Sequence, residues 1–414
     1  MRAGKRFLIL TQYFPPEIGA SQARLAAFAI ELLKFGHDVE VVTAMPHHLR
    51  GEVFPEYRRK LYLDEMWEGI TVRRTWVYVN PSSSVSRRLA NYFSFVLTCW
   101  LALARTRRPD YIVVESPPLF LAVPGATYSW LRKTPLILNV SDLWPDSVRL
   151  LGVMQDGLAL RMAERLEHFA YKQARFLNAI TDGVRHALIS RKKVDPRKVL
   201  FFPNGVDTEL FSPQPASDQL LGSLGLSGKQ VILYAGTHGI AYRLDLLLDV
   251  AQRLKDSDVV FLLVGDGPTK RELADMVRLR NITNVMMLEP KPYSAMPQYF
   301  ALARASIIPL KNNPLFIGTR PAKLFPSWAC GIPVIYSGEG EGADLVSEAK
   351  AGIVVPPDDI QGMVGAVQDL VANESLRSEL GSNGRRFVLE RFSWHAIVGR
   401  WLQDLESRGG DLAR

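Results

Sequence analysis

The stretch Phe316-Ile-Gly-Thr-Arg-Pro-Ala-Lys-Leu-Phe-Pro-Ser-Trp-Ala-Cys-Gly-Ile-Pro-Val-Ile335 is the most informative part of this 414-residue chain. Pro321 suits the first position of a helix, Gly331 suits its end, and Pro333 opens the apolar run that follows. The spacing predicts a helix over 321–331 that runs into a buried strand, the repeating step of a parallel sheet covered by helices. Such a helix points its free N–H groups and the positive end of its dipole to where the strands terminate, and Lys323 adds charge there. Phosphate is the ligand chemistry this favours. A glycine-rich segment, Ser337-Gly-Glu-Gly-Glu-Gly342, comes after the strand.

On either side of this stretch, short apolar or β-branched runs alternate with helix-period segments in two series. The first holds strands over 6–12, 39–43, 70–78, 111–115, 136–140, 176–180 and 199–202; the second over 231–235, 259–264, 285–288, 305–309, 334–336 and 353–355. Between them, Pro203-Asn-Gly-Val-Asp207 and the polar segment 211–218 read as a turn and a linker. The expected fold is α/β: two doubly wound, Rossmann-like domains, 1–204 and 205–391, facing a central cleft, with a helix over about 392–414 packing back onto the first. Open α/β sheets bind ligands at the carboxyl ends of their strands. The length, with 47% apolar and 22% charged residues, agrees with two globular cores.

Each half opens on a strand that enters a glycine-bearing loop. Ile9-Leu-Thr-Gln-Tyr-Phe-Pro-Pro-Glu-Ile-Gly19 precedes a helix over 24–35, and Leu233-Tyr-Ala-Gly236-Thr-His-Gly239 precedes one over 244–254. Gly19, Gly236 and Gly239 are candidates for backbone contact with a phosphate, set against the ordinary use of glycine in turns. Val264-Gly-Asp-Gly-Pro268 reads as a structural turn, with Asp266 capping a helix that begins near Thr269 and with Lys270 and Arg271 on its solvated face.

The formal charge is +8, and residues 1–190 hold 24 basic against 17 acidic residues while the remainder holds 26 against 25. In that basic half lies the apolar segment 89–104, flanked by Arg87, Arg88, Arg105, Arg107 and Arg108. It is shorter than the roughly 20 residues that span a bilayer. A buried helix is one reading; a helix in the membrane interface with its arginines on anionic headgroups is the other, and both hold if one face is core. Nucleic acid is the least expected partner, because the basic residues flank an apolar helix instead of alternating with aromatics. Cys99 and Cys330 have no zinc or disulfide spacing, so no metal site is expected. With no long apolar core or small-residue cleavage site after residues 1–6, a cytoplasmic protein is expected.

In Tyr13-Phe-Pro-Pro-Glu17, Gly36-His37, Asp142-Leu-Trp-Pro-Asp146, Pro203-Asn-Gly-Val-Asp207, Gly265-Asp-Gly267, Lys323-Leu-Phe and Ala329-Cys-Gly-Ile-Pro-Val-Ile335, the chain resembles glycosyltransferase family 4, the retaining GT-B transferases, and above all its bacterial surface-polysaccharide branch. The resemblance implies a GT-B fold and metal-independent transfer of a sugar, with retention and without a cofactor, from a UDP- or GDP-sugar. It implies a lipid-linked saccharide acceptor in exopolysaccharide, capsule or O-antigen synthesis, at the inner face of the cell membrane. Gly19, Gly236, Gly239, Arg243 and Lys323 would meet the donor phosphates. Asp142 is the candidate for handling the acceptor proton or steadying the reacting sugar, against a capping or turn-bonding role of equal weight.

The departures from the family pattern are specific. Its two glutamates eight positions apart fall on Gly318 and Pro326, and the basic residue of the second-domain loop is missing at Ile240 and Tyr242, leaving Arg243 close by. Ribose or donor-sugar contacts would pass to Ser327, Glu339 or Glu341. Pro326 inside a helix that starts at Pro321 would remove a backbone bond at roughly 3 kcal/mol, so the helix should kink or start later. The same departures suit an alternative, a GT-B protein without turnover that acts as a binding or scaffolding subunit; a nucleotide-sugar epimerase of similar architecture is the third reading.

Overall fold

The computed structural model describes residues 4–17, 19–47, 51–80, 84–150 and 157–411. Residues 1–3, where the amino-terminal reading begins, and 412–414, the end of the expected returning helix, lie outside them. The chain forms two compact units, Met1–Pro203 with Ile397–Arg414, and Asn204–Ala396.

The first unit is built on β1 (Arg6–Leu10), β2 (Asp38–Ala44), β3 (Tyr62–Trp67), β4 (Ile70–Thr75), β5 (Tyr111–Ser116), β6 (Leu136–Val140), β7 (Phe176–Ala179) and β8 (Val199–Phe201). Its helices are α1 (Ala20–Lys34), α2 (Val85–Leu103), α3 (Ala122–Arg132), α4 (Asp146–Leu150), α5 (Leu158–Gln173) and α6 (Asp182–Ser190). The sheet order is β3-β4-β2-β1-β5-β6-β7-β8, parallel except for β3. Because the sheet is covered on both faces, its inner strands carry apolar residues on both: Leu8 and Leu10 of β1 join the cluster with Phe95 and Cys99 of α2, while Phe7 on the other face stacks on Tyr111.

The second unit holds β9 (Gln230–Ala235), β10 (Val259–Val264), β11 (Val285–Leu288), β12 (Ala303–Pro309), β13 (Val334–Ser337) and β14 (Gly352–Val355). They form a wholly parallel sheet in the order β11-β10-β9-β12-β13-β14. The helices are α7 (Asp218–Ser223), α8 (Leu244–Arg253), α9 (Lys270–Leu279), α10 (Met296–Ala301), α11 (Leu324–Ala329), α12 (Glu341–Ala349), α13 (Ile360–Ala372) and α14 (Glu374–Arg391). Each half is thus a parallel-sheet α/β domain, as the sequence pattern implies.

Four local expectations change. The strand expected over 70–78 ends at Thr75, because Asn91 Nδ2 donates to the Tyr78 carbonyl at 2.6 Å and Ser94 Oγ accepts from the Tyr78 amide at 2.8 Å, which turns the chain toward α2. Strand β3, absent from the sequence reading, is half-exposed and polar at alternate positions, and is joined to β4 through Glu68 and Gly69, both at positive φ as a two-residue hairpin requires. The helix expected from Pro321 begins at Leu324. Pro326 is therefore its third residue, where the missing N–H has no intrahelical partner to lose, and the later start removes the expected cost. Finally, Asp266 does not cap α9; its carboxylate accepts from Gly267 N at 2.8 Å, and Thr269 stands at the cap with its hydroxyl turned away from the helix, donating to the His238 carbonyl at 2.9 Å.

Helix α15 (Trp394–Asp411) carries Trp401 into the first unit. The indole is 1% exposed, lies edge-to-face on Phe28 at 5.0 Å between ring centroids, and donates from Nε1 to Asn178 Oδ1 of β7 at 2.8 Å. Trp401→Ala should lower the stability of this unit by about 3–5 kcal/mol, from the cavity and the orphaned amide oxygen, and Trp401→Phe by clearly less. Urea unfolding of the three proteins checks this; equal midpoints for Trp401→Ala and the parent would show that α15 is not anchored here.

Candidate functional site

In the second unit the carboxyl ends of β9, β10, β12 and β13 gather the polar groups. The turn after β9, Gly236-Thr-His-Gly239, is held on the turn after β10: Gly236 N donates to Val264 O at 2.9 Å, His238 N to Asp266 O at 2.8 Å, and Thr269 N to His238 O at 3.2 Å. The approach is close enough to demand glycine, since a Cβ on Gly265 would stand 1.9 Å from Gly236 O and one on Gly267 2.4 Å from His238 O.

Lys323, directly before α11, lies along the other side of Gly236, whose Cβ position would be 3.3 Å from its Nζ. The ammonium sits 3.8 Å from the centroid of the Tyr242 ring and 5.4 Å from that of Tyr234, and among the described residues no carboxylate pairs with it. A cation parked on aromatic faces keeps its charge while staying free of a counter-ion. Among the described residues the amides of Thr237, Gly239 and Ile240 likewise donate to no protein acceptor. Arg243 is committed elsewhere: its guanidinium grips Asp245 at 3.0 Å and also pairs with Asp358. Lys270 is held by Glu289 at 2.8 Å.

His238 went unnoticed in the sequence. Its ring is 0% exposed and, among the described residues, neither nitrogen has a partner. Burial first, then the positive charge of Lys270 and Lys323, pushes its pKa down to about 4, against smaller opposing effects of Asp266 and Glu289. Tyr336 Oη, beside Gly338 and Gly342, is also buried without a partner among the described residues.

In the first unit Gly19 stands directly before α1, its carbonyl accepting from Ala23 N at 3.0 Å. Asp142 is exposed two residues beyond β6, and its Oδ2 accepts from Ser147 Oγ of α4 at 2.7 Å. Asp146 pairs with Lys192 at 2.7 Å, which ties the second aspartate of that motif to the fold. A second overlooked residue, Glu115, is the penultimate residue of β5 and is 1% exposed. Its carboxylate accepts from Arg24 Nη2 at 2.6 Å, Ser141 Oγ at 2.5 Å, Ser21 Oγ at 3.2 Å and the Asn139 amide. The signal was present: a carboxylate closes the otherwise apolar Tyr-Ile-Val-Val-Glu115.

Two sequence profiles match this chain, one described as a glycosyl transferase 4-like domain over residues 19–205 and one described as glycosyl transferases group 1 over 219–387. The chain belongs to glycosyltransferase family 4. Its relatives include the putative colanic acid biosynthesis glycosyl transferase WcaI of Escherichia coli K12, 27% identical over 345 residues that cover 80% of this chain and 84% of that one. Among solved structures, the fold is shared with sucrose-phosphate synthase from Thermosynechococcus elongatus, at a TM-score of 0.73, 18% identity and coverage of 99% and 100%. It is shared too with Anabaena HepE, solved with UDP and glucose, at a TM-score of 0.71, 18% identity and coverage of 97% and 100%. The two parallel-sheet units are those of a GT-B glycosyltransferase.

Set against that family, the remaining candidates are placed as follows. Ser327 is buried, with its Oγ 2.9 Å from Ser306 Oγ and 3.0 Å from the Lys323 carbonyl, so its hydroxyl serves the packing of α11 on β12. Glu341, the first residue of α12, pairs with Arg320 at 2.6 Å, and Glu339 is exposed. Gly318 precedes Thr319, whose amide donates to Phe316 O at 2.9 Å, and the carbonyl of neighbouring Ile317 accepts from Glu341 N at 2.7 Å.

The orphaned imidazole gives this transferase a specific acid sensitivity. In the unfolded chain His238 protonates near its ordinary value of about 6.5, in the folded chain near 4, so the unfolded state takes up the extra proton first. The stability that the neutral ring contributes is complete above about pH 6.5 and is lost, by up to roughly 3 kcal/mol, as the pH falls toward 4. Urea unfolding at neutral pH and at about pH 4.5 should show a smaller acid loss for His238→Gln than for the parent; equal losses would refute the assignment.

Proposed function

We propose that this transferase moves a sugar from a UDP- or GDP-sugar, held on the second unit, to a lipid-linked saccharide met by the first, in the synthesis of a bacterial surface polysaccharide such as exopolysaccharide, capsule or O-antigen. The observation that carries the proposal is Lys323: an ammonium without a carboxylate partner among the described residues, beside the free amides of Thr237, Gly239 and Ile240. Charge on a departing diphosphate is stabilised by such preorganised donors and cations, with the protein supplying electrostatics more than covalent chemistry. That HepE was solved with UDP and glucose supports a nucleotide-sugar donor, and the colanic acid role in the name of WcaI supports a polysaccharide product. Gly19 before α1 is assigned to the donor phosphates from the first unit, and Asp142 to the acceptor hydroxyl.

The acceptor side is proposed to work at the inner face of the cell membrane. Among the described residues no helix is long and apolar enough to cross a membrane. Helix α2 instead buries Phe95, Cys99, Ala102 and Leu103 and exposes Phe93, Leu97 and Leu101, so one face is core and the other is an apolar stripe. Trp130 of α3, at 77% exposed, and Met162 of α5 extend the apolar surface of this unit, and Arg107, Arg108, Arg161 and Arg165 are exposed with it. Apolar side chains flanked by arginines suit the acyl boundary and anionic headgroups of one leaflet.

Lys323→Ala should reduce transfer from a nucleotide sugar by about 100-fold or more, the scale of losing one preorganised charge contact, with Asp142→Ala reducing kcat more than KM. Transfer assays over a panel of UDP- and GDP-sugars check both; background rates shared by the parent and both variants would favour the scaffold reading. In flotation with anionic vesicles the parent should rise with the lipid and Leu97→Glu with Leu101→Glu should stay below. A parent that remains in the soluble fraction would remove the membrane from the proposal.

A further inference from the structure

His238 is a buried polar side chain that has no hydrogen-bond partner among the described residues. The backbone N–H and C=O of His238 are both used, on Asp266 and Thr269, so the residue is anchored through its backbone while its ring has no partner among the described residues. A buried donor left unpaired costs roughly 1–3 kcal/mol, and a sequence that only needed to fill this space would do better with an apolar ring of similar size. The ring packs 5.7 Å from that of Tyr234, a contact that phenylalanine would also make. An imidazole that is retained without a partner is waiting for one.

The surroundings say what kind. Gly236 and Thr237 on one side of the ring and Ile240 beyond Gly239 are exposed, and the amides of Thr237, Gly239 and Ile240 are unused by protein among the described residues. Lys323 and Lys270 both bear electrostatically on the ring, Lys270 with Glu289 on it and Lys323 with no carboxylate. Free amides, a free ammonium and a neutral N–H donor together match an oxyanion with several acceptor oxygens. They do not match a cation.

We propose that His238 is a diphosphate-binding residue: on arrival of a nucleoside diphosphate the Gly236-Thr-His-Gly239 turn shifts and the neutral imidazole donates one N–H to a phosphate oxygen. This deepens the donor assignment made above and rests on it. The neutral ring adds a directional donor without adding a third positive charge beside Lys323 and Lys270. Binding and satisfaction of the ring are then one event, and the turn is tighter with ligand than without.

The test compares the full-length parent, His238→Phe and His238→Gln by calorimetric titration with UDP and GDP, and with uridine and guanosine as probes without phosphate. His238→Phe should bind the diphosphate that the parent prefers about tenfold more weakly, the size of one hydrogen bond to a charged group, with His238→Gln in between. Binding of the matching nucleoside should not change. In the absence of ligand, His238→Phe should melt at the same temperature as the parent or higher, which a merely structural histidine would not allow. Should His238→Phe prove too unstable to titrate, ring ¹⁵N signals of the labelled parent replace it: a shift of the His238 N–H on adding the diphosphate supports the proposal. Unchanged diphosphate affinity in His238→Phe, or unmoved ring signals at saturation, overturns it. If the parent itself binds neither UDP nor GDP, the donor assignment fails and this inference falls with it.

Discussion

The second unit depends on a contact between two backbones. At the carboxyl edge of the sheet, the turn after β10 lies so close to the turn after β9 that no side chain fits at Gly265. Three hydrogen bonds, from Gly236, His238 and Thr269, hold the two turns together. Parallel strands bring all their carboxyl ends to one edge, but that alone leaves mobile loops. Here the glycines convert the edge into a fixed surface, with Gly236 pressed between β10 on one side and Lys323 on the other. The ammonium of Lys323 is placed by what it lies on, the rings of Tyr242 and Tyr234, and needs no counter-ion to hold it.

The first unit solves the equivalent problem with buried charge. Glu115, Asn139 and Asn178 are register neighbours across β5, β6 and β7; Asn139 donates to Glu115 and Trp401 donates to Asn178, so polar side chains cross the middle of an apolar sheet. Arg24 of α1 closes the row with an ion pair whose side chains are 4% and 2% exposed. In a low-dielectric interior such a row adds little net stability, yet each bond is expensive to break, so it selects one arrangement of α1, β5 and α15 over near alternatives. The amino end of α1, where Gly19 stands, inherits its position from that pair.

Legibility followed burial. The parallel strands could be read because covering both faces leaves continuous apolar runs with little ambiguity, and the two-domain α/β pattern came directly from them. Strand β3 was lost because an antiparallel edge strand is half-solvated, and Tyr-Leu-Asp-Glu-Met-Trp67 carries no such run. Helix α11 was read three residues too early because Pro321 and Pro326 both suit a first turn, and only the packing of Leu324 and Phe325 decides between them. At the site, the glycines and Lys323 were visible as residue types that phosphate chemistry requires. His238 and Glu115 were not, because a histidine in a turn and a glutamate at a strand end look solvated until the fold shows them shut away.

The uneven chemistry of the second unit has a consequence for how a donor would be recognised. On the proposed reading the groups that meet the diphosphate are preorganised, whereas Gly318 and Pro326, which the resemblance aligns with the family glutamates, offer no side-chain acceptor. The carboxylate nearest in sequence that is partly buried, Glu341, is already neutralised by Arg320. On the proposed reading, the affinity for a nucleotide sugar is then concentrated in its charged centre, and the sugar is discriminated by the shape of the backbone around Ile317 and Gly340, which meet through the Ile317 carbonyl. Shape alone separates sugars by only about 1–3 kcal/mol, as a missing methylene does in an apolar pocket, while a hydrogen-bonded site does far better. On that reading the transferase trades selectivity among sugars for tight hold of the diphosphate.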